Sequence, residues 1–154
     1  MKTPLPNSNP ITIATIAHAG QFRRDGVTPY IEHPRTVASH FEHGTDEWAA
    51  AWLHDVMEDT PYSYRDLKSA GINGDVLVAL ELLNHPQAQR YTDYIEQIKH
   101  AYEIDHAAGR IAYRVKIADI ATNLADDPSE RQIKKYADAL SILISTTTEF
   151  WSDL

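Results

Sequence analysis

The chain has no cysteine. Disulfides are therefore excluded, and so is thiolate ligation, which leaves His, Asp, Glu and water to hold any metal. Long apolar runs are missing too. No stretch can span a bilayer, and the first ten residues, with three prolines and two asparagines, lack the apolar centre of a signal peptide. A soluble, cytoplasmic protein is the expectation. Positive charge is scarce: 14 Lys and Arg against 22 Asp and Glu leave a formal net charge of −8, which argues against nucleic acid or a membrane surface as partner. A small anionic ligand remains open if local Lys and Arg residues gather round it. Strand signals are weak, and Ile72-Asn-Gly-Asp75 lacks the flanking strands that a hairpin needs.

What is present reads as helix after helix. The 154 residues suggest one domain, with residues 1–11 as an extended N-terminal arm and 12–154 as the folded unit. Thr12 can cap a first helix through about Phe22, with Ile13, Ile16 and Ala17 inward. Gly26 and Pro29 break it, and Pro34 suits the first turn of a second helix that runs to about His43 and stops at Gly44. His33 then sits at a helix start. Thr45 caps a third helix, with Asp46 and Glu47 complementing its dipole. Ser63–Asp66 and Ser129–Gln132 are capping-box patterns, the first opening a short helix closed by Gly71. Asn73 or Asp75 begins a helix that buries Val76, Leu77, Leu80 and Leu83 and cannot pass Pro86. Thr92 begins another, with Tyr94, Ile95, Ile98, Ala101 and Tyr102 inward, ending near Gly109. The segment 110–123 is helical in pattern, and the last helix turns Ile133, Tyr136, Ala137, Leu140, Ile144 and Phe150 inward. The fold class is all-α.

Two polar strips interrupt this pattern. In Ala51-Trp-Leu-His-Asp-Val-Met-Glu-Asp-Thr60, a continuous helix at about 100° per residue would make His54 and Asp55 neighbours and put Glu58 and Asp59 one turn beyond them. Ala50, Leu53, Val56 and Met57 around them are apolar, so one His and three carboxylates lie in a helix that otherwise favours burial. Buried carboxylates are costly without a cation, and imidazole with carboxylate suits a borderline divalent ion. Lys116, Asp119 and Asn123, at spacings of three and four, form the second strip. Each residue also has a plainer explanation: a buried His is most often hydrogen-bonded core, and Asp119 can be the ion-pair partner of Lys116 or Lys134.

Taken together, certain strings resemble the HD-domain metal-dependent phosphohydrolases. They are His18-Ala-Gly-Gln21 with Arg23-Arg24 and Gly26, Pro29-Tyr-Ile-Glu-His-Pro34, His54-Asp-Val-Met-Glu-Asp-Thr60, and Val115-Lys-Ile-Ala-Asp119 with Asn123-Leu124. The local strings are closest to the hydrolase domain of Rel/SpoT alarmone enzymes and to the small alarmone hydrolases, over roughly residues 12 to 145. The resemblance implies a single-domain helical HD fold and one divalent ion per chain, manganese in the first instance, held by His33, His54, Asp55 and Asp119. It implies that Glu58 and Asp59 position or deprotonate water and handle the leaving-group proton. Asn123 and Lys116 would meet the nucleotide, and Arg23 or Arg24 would stack on its base. The implied reaction is removal of the 3′-pyrophosphate of guanosine tetra- or pentaphosphate. Another nucleotide or nucleotide cofactor as substrate, or a sensor that binds without turnover, are the alternatives. With no synthetase segment in the chain, a bifunctional enzyme is not expected. The string Leu83-Asn-His-Pro-Gln-Ala-Gln-Arg-Tyr91 departs from the alarmone hydrolases, offering His85 and Arg90 as its only cations.

Overall fold

The computed structural model describes residues 2–145. Among these residues nine helices form and no strand; the one pairing of extended backbone is an isolated antiparallel bridge between Phe22 and Pro29. The helices are α1 (Pro10–Ala17), α2 (Glu32–Ala38), α3 (Asp46–Leu53), α4 (Val56–Asp59), α5 (Tyr64–Ser69), α6 (Gly74–Leu83), α7 (Tyr91–Glu103), α8 (Ala107–Leu124) and α9 (Glu130–Ile144). None of them is long and apolar enough to cross a membrane.

The architecture is built round α8, which packs against α2, α3, α6, α7 and α9. Ile111, Ala112, Val115, Ala118 and Ile120 are buried on several sides of it, as expected of a helix with neighbours on more than one face. Ile13, Leu53, Val56, Leu80, Ile95 and Ile98 complete a single core. Asp119 lies on a side of α8 that these neighbours cover, and this is what places it in the interior, whereas Arg114 on the open side is exposed.

Helix starts follow local chemistry. The Thr45 hydroxyl accepts from the Trp48 amide, the Asn73 side chain accepts from Val76, and both capping boxes close. Helix ends depart more from expectation. Asn9, not Thr12, caps α1: its side chain accepts from the Ile11 and Thr12 amides, and Pro10 occupies the first turn. This helix stops at Ala17, because Gly20 turns the chain at φ +80° and Phe22 goes into the bridge, half exposed. Helix α2 ends at Ala38, where the Ser39 hydroxyl donates to the Thr36 carbonyl, and turns lead on to Gly44 at φ +87°.

Gly109 does not end α7. That helix closes at Glu103, Asp105 takes a left-handed conformation at φ +58°, and α8 starts at Ala107 with His106 as its cap. Gly109 lies inside α8 where that helix meets α7, and a Cβ there would come 2.3 Å from the Ala101 carbonyl oxygen. Glycine is present for a close helix crossing, not for a turn. Tyr102 is partly exposed but stacks on Tyr113 at 3.9 Å between ring centroids.

Helix α9 is rotated from the expected face. Ile133, Ala137 and Ile144 are exposed, while Ala139 and Leu143 are buried and Tyr136 and Leu140 are half-buried. The sequence carries two overlapping apolar stripes, and the one containing Leu143, whose carbonyl accepts from the Tyr113 hydroxyl at 2.8 Å, is the one that docks. Phe150 lies outside the described residues.

The helix crossing gives a direct test. Gly109→Ala should lower stability by about 2 kcal/mol, in the range of overpacking a filled site. Gly74→Ala, with nothing within 4 Å of the new Cβ, should leave it unchanged or slightly raised. Thermal unfolding of both variants decides; equal melting temperatures would mean that the crossing can widen freely.

Candidate metal centre

The four expected ligands arrive from three distant segments. His33 comes from the first turn of α2, His54 and Asp55 from the junction of α3 and α4, and Asp119 from the middle of α8. The continuous helix expected through His54 and Asp59 does not form: α3 stops at Leu53, His54 and Asp55 make a turn, and α4 is a single turn from Val56 to Asp59. The break keeps His54, Asp55, Glu58 and Asp59 on one cavity. His33, His54 and Asp119 are buried, with Asp55 nearly so.

Distances are short. His33 Nε2 lies 2.8 Å from Asp119 Oδ1 and 3.8 Å from Asp55 Oδ2. His54 Nε2 lies 3.0 Å from Asp55 Oδ2 and 3.3 Å from Asp119 Oδ1. The other nitrogen of His54, Nδ1, is 2.6 Å from the Ala51 carbonyl. A carbonyl only accepts, so Nδ1 carries a proton there and, in the neutral ring, Nε2 presents a lone pair. That buried Nε2 has no hydrogen-bond partner of its own, although two carboxylate oxygens flank it. A lone pair held towards two carboxylates, with its ring oriented by a backbone carbonyl, is the arrangement found where imidazole binds a metal. The donor set of two imidazoles and two carboxylates without thiolate fits a borderline divalent ion. One ligand atom from each of His33, His54 and Asp55 lies within 4.8 Å of the others.

Neighbours hold this set in place. The Tyr30 hydroxyl donates to Asp55 Oδ2 at 2.6 Å. Lys116 Nζ donates to Asp119 Oδ2 at 3.0 Å, and the Asn123 amide donates to Asp119 Oδ1 at 3.1 Å. The ion pair between Lys116 and Asp119 is thus real, while Lys134 pairs with Asp138 instead. Burial pushes each of these charges toward neutrality, and the partners overrule it. Burial raises the Asp55 carboxyl, but the His54 charge beside it brings it down to about 2. Burial also raises Asp119, yet Lys116 and the two imidazoles hold it well below the carboxylate range. His54 is lowered by burial and raised more strongly by Asp55 and Asp119, so it ends well above an ordinary imidazole.

Glu58 and Asp59 stand beside the cluster, and one oxygen from each of Asp55, Glu58 and Asp59 falls within a second 4.8 Å group. Glu58 accepts from the His85 amide at 2.7 Å, and Asp59 Oδ2 is 3.4 Å from the Tyr30 hydroxyl. Both carboxyls are pushed up, by loss of water first and by the Asp55 charge as well.

The cavity that all these residues line has a volume of about 210 Å³. Lys116 and Asn123 line it as expected. Arg23 and Arg24 do not. Arg23 pairs with Asp126 at 2.7 Å and lies 5.7 Å from the Tyr30 ring centre, and Arg24 donates to the Gln132 side chain at 2.7 Å. The segment Leu83–Tyr91, expected to border the pocket, does so through Leu83, His85 and Tyr91, while Tyr30, Tyr94, Lys135 and Tyr136 went unforeseen. The spacing of Tyr91 and Tyr94 was a visible signal. Nothing local marked Lys135, which reaches the cavity only because of the rotation of α9.

No family model matches the chain. It is 32% identical over 125 residues to the guanosine-3′,5′-bis(diphosphate) 3′-pyrophosphohydrolase MESH1 of Danio rerio, a match covering 75% of this chain and 66% of that protein. It is 52% identical over 61 residues to the guanosine-3′,5′-bis(diphosphate) 3′-pyrophosphohydrolase of Haemophilus influenzae, covering 36% of this chain and 9% of that protein. To the bifunctional (p)ppGpp synthase/hydrolase SpoT of Escherichia coli it is 44% identical over 59 residues, covering 36% of this chain and 8% of that protein. The chain therefore matches less than a tenth of the length of these bacterial relatives.

The charge pattern fixes the sign of a pH dependence in chelator-treated protein. A raised His54 contributes stability that is full below about 6.5 and is lost as pH rises through its folded value. A depressed Asp55 contributes stability present above about 3.9 and lost as pH falls toward its folded value. Urea unfolding should therefore show stability declining from about pH 6.5 upward, with the slope removed by His54→Gln. A flat profile above neutrality would mean that His54 carries no such charge.

Proposed function

The chain belongs to the HD-domain metal-dependent phosphohydrolases, on the branch of the (p)ppGpp 3′-pyrophosphohydrolases, and we propose that it removes the 3′-pyrophosphate of guanosine tetra- or pentaphosphate. The products are GDP or GTP and pyrophosphate. The observation that carries the reading is the convergence of His33, His54, Asp55 and Asp119, with the unpartnered His54 Nε2 among the carboxylates and the Glu58–Asp59 pair alongside.

In this reading those four residues hold one manganese ion per chain. When bound, the ion supplies the positive charge that polarises a phosphoryl oxygen and acidifies water. Glu58 and Asp59, with carboxyls raised toward the working range of a general base, take the proton of the attacking water. Water oxygen bonds to the phosphorus attached at O3′, the P–O3′ bond breaks, and one of the pair returns a proton to the 3′-oxygen. Tyr30, hydrogen-bonded to Asp55 and close to Asp59, keeps ligand and base in register. Lys116, neutralised by Asp119, orients that carboxylate more than it attracts substrate, and Asn123 meets the nucleotide at the cavity edge.

A cavity of about 210 Å³ is below the usual size for a drug-sized ligand, so it takes the diphosphate and leaves the nucleoside outside. Arg23 or Arg24 then stacks on the base after exchanging its contact to Asp126 or Gln132. Those present contacts, and the cation-poor segment Asn84–Tyr91, favour a second reading in which the substrate is a different phosphorylated nucleotide. A cytoplasmic location with a small nucleotide as partner, and neither nucleic acid nor membrane, suits the charge of −8.

Two measurements test this. Glu58→Gln and Asp59→Asn should keep the ion and slow turnover by roughly 10²-fold or more, whereas His54→Ala and Asp55→Ala should lose the ion by elemental analysis. Full metal occupancy in the last two variants would sink the ligand assignment. Guanosine tetraphosphate with manganese should yield GDP and intact pyrophosphate; orthophosphate alone, or turnover only of nucleotides without a 3′-diphosphate, moves the assignment to the second reading.

A further inference from the structure

The part of the cavity built by the α6–α7 connection and by α9 has no role in the chemistry above. Two lysines line the cavity. Lys116 is committed to Asp119 at 3.0 Å. Lys135 has no carboxylate partner among the described residues; its Nζ sits 4.3 Å from the Tyr91 ring centre and 5.5 Å from that of Tyr136. Beside it the Tyr91 hydroxyl is buried with no hydrogen-bond partner. The connection from Asn84 to Tyr91 brings no lysine, and its one arginine, Arg90, is exposed and outside the lining.

A diphosphate entering here meets four carboxylates, Asp55, Glu58, Asp59 and Asp119, and needs positive charge beyond that of one ion. Its terminal oxygens are acceptors only, so they call for donors. An ammonium offers three and a phenol one. Resting on the hydrolase reading, we propose that Lys135 and Tyr91 form the subsite for the terminal phosphate of the diphosphate that is cleaved. The cation missing from the Asn84–Tyr91 segment is supplied by α9 as Lys135, an exposed residue at the rim whose Nζ sits over the Tyr91 ring and lines the cavity. On this assignment a ligand with a single phosphate at the scissile position leaves Lys135 and Tyr91 without their partner.

The probe is inorganic pyrophosphate, titrated calorimetrically into manganese-loaded protein with equal manganese in cell and syringe. Lys135→Gln should weaken pyrophosphate binding roughly tenfold or more, the scale of one hydrogen bond to a charged group, and Tyr91→Phe about threefold. Lys135→Arg should restore most of the affinity. Lys134→Gln, which removes the same charge from the neighbouring exposed position, should change nothing, and manganese affinity should be the same in all four. Wild-type affinity in Lys135→Gln, an equal loss in Lys134→Gln, or no pyrophosphate binding by the wild type overturns the subsite. The two readings fail separately. Lys135-dependent pyrophosphate binding without cleavage of guanosine tetraphosphate removes the substrate and keeps the subsite, while cleavage with Lys135-independent binding does the reverse.

Discussion

Everything at the centre of this molecule depends on His54 Nε2 standing within 3.3 Å of both Asp55 and Asp119. A buried imidazole between two buried carboxylates is stable only with a positive charge among them, either a proton on the ring or an ion in its place. The surrounding polar contacts are explained by that need. The Ala51 carbonyl takes the far nitrogen of the ring, Tyr30 and Asn123 donate to the carboxylates, and Lys116 neutralises the outer oxygen of Asp119. Removing one contact leaves an unsatisfied charge in the interior, where its cost is highest.

The scaffold makes such a cluster possible by surrounding α8. With α2, α3, α6, α7 and α9 all packed against it, the carboxylate of Asp119 reaches solvent only through the cavity it lines and is met there by His33 and His54. Close packing has its own requirement, visible at Gly109, where the Ala101 carbonyl would lie 2.3 Å from a Cβ. The break between α3 and α4 serves the same end. It turns the peptide at Asp55 so that Asp55, Glu58 and Asp59 share one cavity while Leu53 and Val56 remain in the core.

Charge is distributed unevenly round that cavity. Acidic groups cluster at the α3–α4 junction, and a cation with no carboxylate partner among the described residues comes from α9, over tyrosines of its own helix and of α7. For a chain of net charge −8, this local asymmetry sets the cavity apart from the acidic whole. Arg23 and Arg24, drawn to the α8–α9 connection, lie outside it and tie the loop before α2 to the far end of α8.

His33 and Asp119 were singled out as ligands only through the family resemblance, whereas the all-α class, the caps at Thr45, Ser63, Asn73 and Ser129, the buried face of α6 and the polar pair His54-Asp55 were legible in the sequence itself. Each depends on chemistry within four residues of itself: a hydroxyl and an amide three apart, a 3.6-residue apolar stripe, or a string such as His54-Asp55. What required the tertiary structure depends on distant neighbours. Gly109 reads as a helix stop and is a helix crossing, because Ala101 lies across from it. The face of α9 read as inward from Ile133, Ala137 and Ile144 gave way to Ala139 and Leu143 once α7 and α8 packed against it, and that rotation brought Lys135 to the cavity. The arginines look alike by sequence whether they face a nucleotide or Asp126. Local hydrogen bonding and periodicity are written along the chain, but the choice among faces of a helix is made by the surface it packs against.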